Sequence, residues 1–328
     1  MAIRKLTYSA AIAEGMAEEM RRDDRVIQTG LDVGFYGDAF GQTLGMFEEF
    51  GKERMIDFPI SEMGFTGVCV GAAATGLRPV TTIQFNDWMT LASDQIINQA
   101  AFMRYMYGGV ISVPMVVRTC CGGYMSAAAQ HSKMMDAWFT NIPGLKVVCP
   151  STPADAKGLI KSAIRDNNPV LYYEHKVLYA KKGEVDDDPE VLVPIGKADI
   201  KRKGADVTIV TYSYMVHLAL QAAKELEAEG IDVEVLDLRS LKPLDEDAIY
   251  ASVRKTNRVV CLQEGWKNCG IMSEVAALIA ENAMDALKAP VIRVTSKEAP
   301  IPFNPTLEKY ILPSVQDIKD AVLKVTKG

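Results

Sequence analysis

Phe58-Pro59-Ile60-Ser61-Glu62-Met63-Gly64-Phe65-Thr66-Gly67 sets a single carboxylate at the mouth of an apolar, glycine-lined segment. Pro59 disfavours helix at Phe58 and Ser61 is a suitable N-cap, so Glu62 is expected in the first turn of a buried helix. Gly64, Gly67 and Gly71 follow at three- and four-residue spacing and therefore share one helix face. Each glycine costs roughly 1 kcal/mol relative to alanine inside a helix. The stripe therefore needs a packing reason, the close approach of another helix or subunit. Taken alone, these residues leave two readings of Glu62: a carboxylate favoured by the helix dipole, or an acid partly desolvated for chemistry.

Outward from this segment, apolar strands alternate with helices. Helical periodicity over 9–22 precedes a strand at 26–30. Further strands are expected at 79–85, 113–119, 146–150 and 170–174, with helices at 87–107 and 153–165 and a loop at 120–132. This alternation predicts an α/β fold with a parallel sheet covered on both faces. The stretch 186–203, opening on Asp186-Asp187-Asp188, reads as a linker between a first domain, 1–185, and a smaller α/β domain, 204–328. In the second domain strands are expected at 207–212, 232–237, 258–263 and 291–294. Helices are expected at 215–229, 245–256 and 271–281, with one more in the tail, 304–328.

A chain of 328 residues exceeds the usual single-domain size, which agrees with two cores. The net charge of -6 argues against nucleic acid or an anionic membrane as the main partner. The first residues lack the apolar core of a signal peptide, and the apolar run 64–77 is too short to span a bilayer, so a cytoplasmic location is expected. Six scattered cysteines, with Cys120-Cys121 as the only close pair, fit free thiols in a reducing compartment. No GxGxxG follows a strand, and no P-loop, GxSxG or HExxH occurs. That counts against a simple nicotinamide enzyme, an NTPase, an α/β-hydrolase and a zinc protease.

Several segments together resemble one family. They are Phe58-Pro-Ile-Ser-Glu62, Asp94-Gln-Ile-Ile-Asn-Gln-Ala-Ala101, Ala127-Ala-Ala-Gln-His-Ser132, Pro143-Gly-Leu-Lys-Val-Val148, Asp155-Ala-Lys-Gly-Leu159 and Ala163-Ile-Arg-Asp-Asn-Asn-Pro169. Asp206-Val-Thr-Ile-Val-Thr211, Asp237-Leu-Arg239, Pro243-Leu-Asp245 and Ala289-Pro-Val-Ile-Arg-Val294 extend the likeness into the second domain. The chain resembles, nearly end to end, the β subunits of the thiamine-diphosphate-dependent E1 component of acetoin and 2-oxoacid dehydrogenase complexes. Arg104-Tyr-Met-Tyr-Gly-Gly109, Pro150-Ser-Thr-Pro153 and Glu174-His-Lys-Val-Leu-Tyr179 lean to the acetoin branch, and Glu264-Gly-Trp266 is closer to the pyruvate branch.

The resemblance implies a transketolase-like pyrimidine-binding domain and a transketolase-type C-terminal domain. It implies transfer of an acetyl unit from acetoin to the lipoamide of an E2 acyltransferase. Pyruvate and branched-chain 2-oxoacids are alternative donors, and a non-catalytic interaction subunit is the reading from another class. In this family the cofactor's own aminopyrimidine removes its thiazolium proton once a carboxyl group meets the far ring nitrogen. Glu62 matches that carboxyl. His131 matches a family histidine that positions substrate or carries a proton, and Ile60, Gln84 and Trp88 match residues lining the aminopyrimidine pocket. Met115, Ala163, Ile164, Asp166 and Asn168 match an oxygen-rich site for a monovalent cation such as potassium.

Three departures qualify the match. The family's diphosphate and magnesium site needs a Gly-Asp-Gly, and the nearest fragment here is Tyr36-Gly-Asp-Ala39. The chain is therefore expected to supply half of a site, with Mg2+ on a separate α subunit in an α2β2 heterotetramer. Many family members also carry Gly-Glu-Asp where this chain has Gly30-Leu31-Asp32. That places in doubt the acidic channel linking paired sites. The loop Cys120-Cys-Gly-Gly-Tyr-Met125 differs from the pyruvate pattern as well.

Overall fold

Runs of valine, isoleucine and threonine form strands buried on both faces, and helices with one apolar stripe cover them. The computed structural model describes residues 3–327, which divide into two units. The first unit runs to Cys121 and resumes over Trp138–Ile195; the second combines Gly122–Ala137 with the chain from Gly196 onward.

The first unit opens with β1 (Ile3–Thr7), α1 (Tyr8–Arg22) and β2 (Val26–Gly30), then α2 (Met46–Phe50), β3 (Met55–Asp57), α3 (Glu62–Ala74) and β4 (Arg78–Ile83). It continues through α4 (Phe102–Met106) and β5 (Val116–Cys121). After α5 (Asp136–Thr140), which spans the chain's return to this unit, come β6 (Lys146–Val148), α6 (Pro153–Arg165), β7 (Val170–His175) and β8 (Lys182–Asp186). The main sheet is parallel, in the order β6-β7-β5-β4-β2-β3. All residues of β2, β5 and β7 are buried, as the covered parallel sheet requires. On one flank α1 packs on α6 at short range: a Cβ at Gly15 would lie 2.7 Å from Ile160 Cγ2. Lys157 bridges Glu14 and Glu18 across this contact at 2.7 Å each, and Lys161 reaches Glu18 at 2.8 Å.

Two expectations are corrected here. The helix expected at 87–107 is broken into a 3-10 turn (Asn86–Thr90), a π-helical segment (Gln95–Ala101) and α4. The 3-10 turn begins directly after Phe85, whose positive φ cannot join a helix. The expected linker is shorter than 186–203, because β8 pairs antiparallel with β1 through Asp186 and β9 (Asp199–Arg202) joins the second sheet.

The second unit continues with β10 (Val207–Thr211), α7 (Met215–Glu227), β11 (Val233–Asp237), β12 (Ser240–Lys242) and α8 (Glu246–Thr256). It closes with β13 (Val259–Trp266), α9 (Ile271–Asn282), β14 (Ile292–Ser296), α10 (Pro305–Ile311) and α11 (Val315–Lys327). The sheet order is β14-β13-β10-β11-β9, with only β9 antiparallel. Val207 and Ile209 of β10 pack with α7 and α11, while Thr208 turns the other way to the α8 hydroxyl of Thr256 at 2.8 Å. The single tail helix expected at 304–328 is two helices. Pro313 lies between them, and Ser314 exchanges hydrogen bonds with Asp317 to start the second.

Segment 122–137 belongs to this second unit because buried carboxylates bind its backbone. Glu264 accepts from Gly123 N at 2.6 Å, Glu308 accepts from Ser126 N at 3.0 Å, and Tyr124 donates to Pro313 O at 2.8 Å. At its end the Tyr212 hydroxyl donates to Asp136 Oδ2 at 2.5 Å, with Asp136 only 2% exposed. All six cysteines are free thiols, and no helix among the described residues is long and apolar enough to cross a membrane.

Burial pushes the Asp136 carboxyl up to about 6, against the opposing bond from Tyr212. A carboxyl raised in the folded state stabilises fully below its unfolded value and loses that contribution as pH rises through about 6. The loss is roughly 3 kcal/mol. Urea denaturation at pH 4 to 8 should show Asp136→Asn gaining relative to the native chain as pH rises, and a constant difference would contradict the assignment.

Candidate functional site

In the first sheet the chain reverses about β2: β3 is laid on one side of it and β4 on the other. Where strand order reverses, loops leaving the carboxyl ends of the two strands part and open a crevice. A pocket of about 340 Å³ lies at this place. Leu31 follows β2, while Thr82, Gln84 and Phe85 come from the end of β4 and its exit. Ile60, Glu62 and Phe65 belong to the start of α3, and Trp88 and Leu91 to the turn after Phe85.

The local sequence explains these positions. The pleat of β4 carries Thr82 and Gln84 to one side and the fully buried Ile83 to the other. Gln84 Nε2 donates to Leu31 O at 2.8 Å and ties the exits of β2 and β4 together. Phe85 holds φ +83°, a left-handed conformation that bulky residues rarely adopt. Its N–H donates to Cys120 Sγ at 3.1 Å, and the Lys176 ammonium lies 5.4 Å from its ring centre.

Glu62 is the first residue of α3, and Ser61 occupies the N-cap position without a side-chain capping bond. Glu62 is half-buried, and among the described residues no hydrogen bond or ion pair holds its carboxylate. Among the described residues it is the only acidic one lining the pocket, beside the neutral polar side chains of Thr82 and Gln84. A carboxyl group among Leu, Ile, Phe and Trp side chains gains a partner when a polar ring edge binds there. The arrangement suits a flat heteroaromatic ring, with apolar groups for its faces and Glu62 and Gln84 for its edges.

The four pocket residues named from sequence, Ile60, Glu62, Gln84 and Trp88, come together in this one cavity. Leu31, Phe65, Thr82, Phe85 and Leu91 were missed as walls. Strand periodicity gives Thr82 from Gln84, whereas the positive φ of Phe85 has no sequence signal. His131 lies on the Gly122–Ala137 segment of the second unit, half-buried, with its N–H donating to Ala128 O at 3.4 Å.

The residues named for a cation gather at the turn after α6. Met115 O accepts from Val170 N at 3.0 Å and Ala163 O from Asp166 N at 3.3 Å. Asp166 Oδ1 accepts from Asn168 N at 2.8 Å, and Lys146 meets its other oxygen. The donor set is oxygen, and each carbonyl has a second lone pair, which suits a hard cation. Against this, Arg78 Nη1 already bridges Ile164 O at 2.9 Å and Asp166 O at 3.0 Å, and its positive charge opposes a second one.

Residues 4–182 match the transketolase pyrimidine-binding domain and residues 196–318 the transketolase C-terminal domain. The β subunit of an acetoin:2,6-dichlorophenolindophenol oxidoreductase from Bacillus subtilis is 46% identical, over 98% of this chain and 97% of its own length. The β subunit of a 2-oxoisovalerate dehydrogenase from the same species is also 46% identical, over 98% of this chain and 99% of its own. A split-gene transketolase, solved as an inactive β4 tetramer, superposes with a TM-score of 0.80 over 98% of each chain. At 24% identity that likeness is one of fold. The chain belongs to the β subunits of the thiamine-diphosphate-dependent E1 dehydrogenases of the acetoin and 2-oxoacid family.

Proposed function

We propose that the chain is the catalytic β half of an acetoin-type E1, passing an acetyl unit from acetoin to the lipoyl group of an E2 acyltransferase. The observation that carries this is Glu62, a lone carboxylate in the first turn of α3, facing a largely apolar pocket of about 340 Å³ with room for an aromatic ring. Thiamine diphosphate, when bound, supplies the nucleophilic carbon that takes up the acyl unit. Glu62 holds the pyrimidine edge through a hydrogen bond between its carboxyl group and the ring nitrogen. Ile60, Phe85 and Trp88 exclude water from the ring faces, and Gln84, anchored on Leu31 O, orients the other edge. His131, by the family resemblance, positions the substrate or carries a proton during transfer.

An α subunit completes the site, because this chain has no Gly-Asp-Gly to hold the diphosphate and Mg2+. The outer face of α3 supports such a partner. Of the glycine stripe, Gly64 and Gly67 are explained within the chain, since a Cβ there would lie 2.7 Å from Ser61 Oγ and 3.0 Å from Gln95 Oε1, whereas one at Gly71 would meet nothing within 4 Å among the described residues. On the same helix Met63 is 57% exposed and Val68 55%, with Ile60 77% exposed at the pocket mouth. Small residues between exposed apolar ones fit a helix of the α subunit in an α2β2 assembly. We assign the activity to the cytoplasm. Potassium at the Asp166 turn is a proposal on resemblance alone, opposed there by Arg78.

Acetoin is preferred as donor on the segments 104–109, 150–153 and 174–179. The equal identity to a 2-oxoisovalerate dehydrogenase β subunit supports a branched-chain 2-oxoacid as the second reading. In the enzyme assembled with its companion subunit, Glu62→Gln should lower turnover by roughly 10²–10⁴-fold and leave assembly intact. Unchanged turnover would remove Glu62 from the chemistry. Turnover with an artificial electron acceptor should favour acetoin over pyruvate and 2-oxoisovalerate. Preference for 2-oxoisovalerate would establish the second reading, and turnover of none by an assembled tetramer would make the chain a non-catalytic subunit.

A further inference from the structure

A second cavity, of about 10 Å³, shares the Thr82 and Gln84 wall of the cofactor pocket. Its other polar walls include Asp38, Gln42, Arg118 and Glu174, none more than 6% exposed. The glutamate is fully satisfied. Arg118 Nε donates to Glu174 Oε1 at 2.7 Å and Nη2 to Oε2 at 3.1 Å, while Gln42 Nε2 and the Tyr179 hydroxyl donate to Oε2 at 2.9 and 3.1 Å. Asp38 is different. Its Oδ1 accepts from Phe40 N at 2.8 Å and Gln42 N at 3.4 Å, but its buried Oδ2 has no partner. The same residue holds φ +69°, where glycine is unstrained. An orphaned carboxylate oxygen and a left-handed backbone are two costs that folding alone does not need.

The donors left at the cavity identify what meets that oxygen. Arg118 uses Nη2 on Gln42 Oε1 at 2.8 Å as well as on Glu174, and Nη1 on Thr82 Oγ1 at 3.3 Å, which leaves it one Nη1 hydrogen. Gln84 uses its Nε2 on Leu31 O, which leaves its amide oxygen. The volume is that of one water molecule, and the groups left on the walls to meet it are an Arg118 Nη1 hydrogen and the unpartnered Thr119 hydroxyl as donors, with Asp38 Oδ2 and the Gln84 amide oxygen as acceptors. The Arg118 charge excludes a metal cation, and the two carboxylates exclude an anion.

We propose that this cavity binds one ordered water, and that Asp38, acting through it, is a positioning residue that fixes Gln84 in the wall of the cofactor pocket. The water site stands on this chain's geometry; its effect on cofactor binding rests on the thiamine-diphosphate reading. Burial pushes the Asp38 carboxyl up. As pH falls Oδ2 therefore changes from acceptor to donor, and the water must turn.

Crystal structures of the native chain and of Asp38→Gly should show the water on Asp38, Arg118 and Gln84, and its loss with a reoriented Gln84 in the variant. A dry native cavity would overturn the proposal. Calorimetry of thiamine diphosphate binding to the assembled enzyme, across pH, is the second arm. Asp38→Gly should bind about tenfold more weakly, and the native enzyme should show an acid-side change in affinity that Asp38→Asn lacks. Native affinity in both variants at every pH would remove the positioning role. If Asp38→Gly does not assemble, the Asp38→Asn curve decides, and an acid-side change retained there contradicts the proposal. Failure of the native enzyme to bind the cofactor at all would sink the cofactor reading, with the crystallographic water still deciding the site.

Discussion

The reversal of strand order about β2 is the constraint from which the site follows. A parallel sheet covered on both faces leaves its only openings where neighbouring strands send their chains in opposite directions. Here those exits deliver Leu31 from β2 and Gln84 from β4, joined by one hydrogen bond of 2.8 Å. The helix that returns the chain from β3 to β4 begins at the same crevice, so its first residue, Glu62, is placed over the opening. An acid there keeps one side to solvent or partner and the other to Phe65, Phe85 and Trp88. The fold sets a carboxylate at an apolar pocket without burying it completely.

Behind the crevice the protein keeps charge inside the sheet. Arg118 and Glu174 face each other from β5 and β7, each 1% exposed, with Gln42 closing the pair. A buried ion pair of this kind adds little net stability but is costly to break, since either partner alone would be an uncompensated charge. It fixes the geometry at Thr82, which accepts from both Arg118 and Gln28, and so the polar wall of the pocket at Glu62.

Much of this was legible in the sequence, for reasons that differ between elements. α6 follows its predicted span of 153–165 because Thr152 caps it, Pro153 opens it and the Asn/Asp turn ends it. The strands β2, β7, β10 and β11 were visible as short β-branched runs between turn signals. Ile60, Glu62, Gln84 and Trp88, which line one pocket, were named through a family resemblance and not through periodicity, which left Glu62 with two readings. What stayed hidden depends on distant contacts. The 3-10 turn that replaces the start of the helix expected at 87–107 follows Phe85, whose positive φ goes with a hydrogen bond from its N–H to Cys120 Sγ, remote in sequence. The segment 122–137 leaves the first unit because Glu264 and Glu308, remote in sequence, take its backbone N–H groups. The Arg78 bridge to Ile164 and Asp166 joins residues more than eighty positions apart.

The central claim is that this chain holds one half of a cofactor site and that a companion subunit holds the other. Binding of thiamine diphosphate with Mg2+, followed by calorimetry on this chain alone, on the companion alone and on their mixture, tests it most directly. The account predicts saturable binding only in the mixture. Tight, Mg2+-dependent binding by this chain alone would contradict it, as would a stable mixed assembly that binds no cofactor.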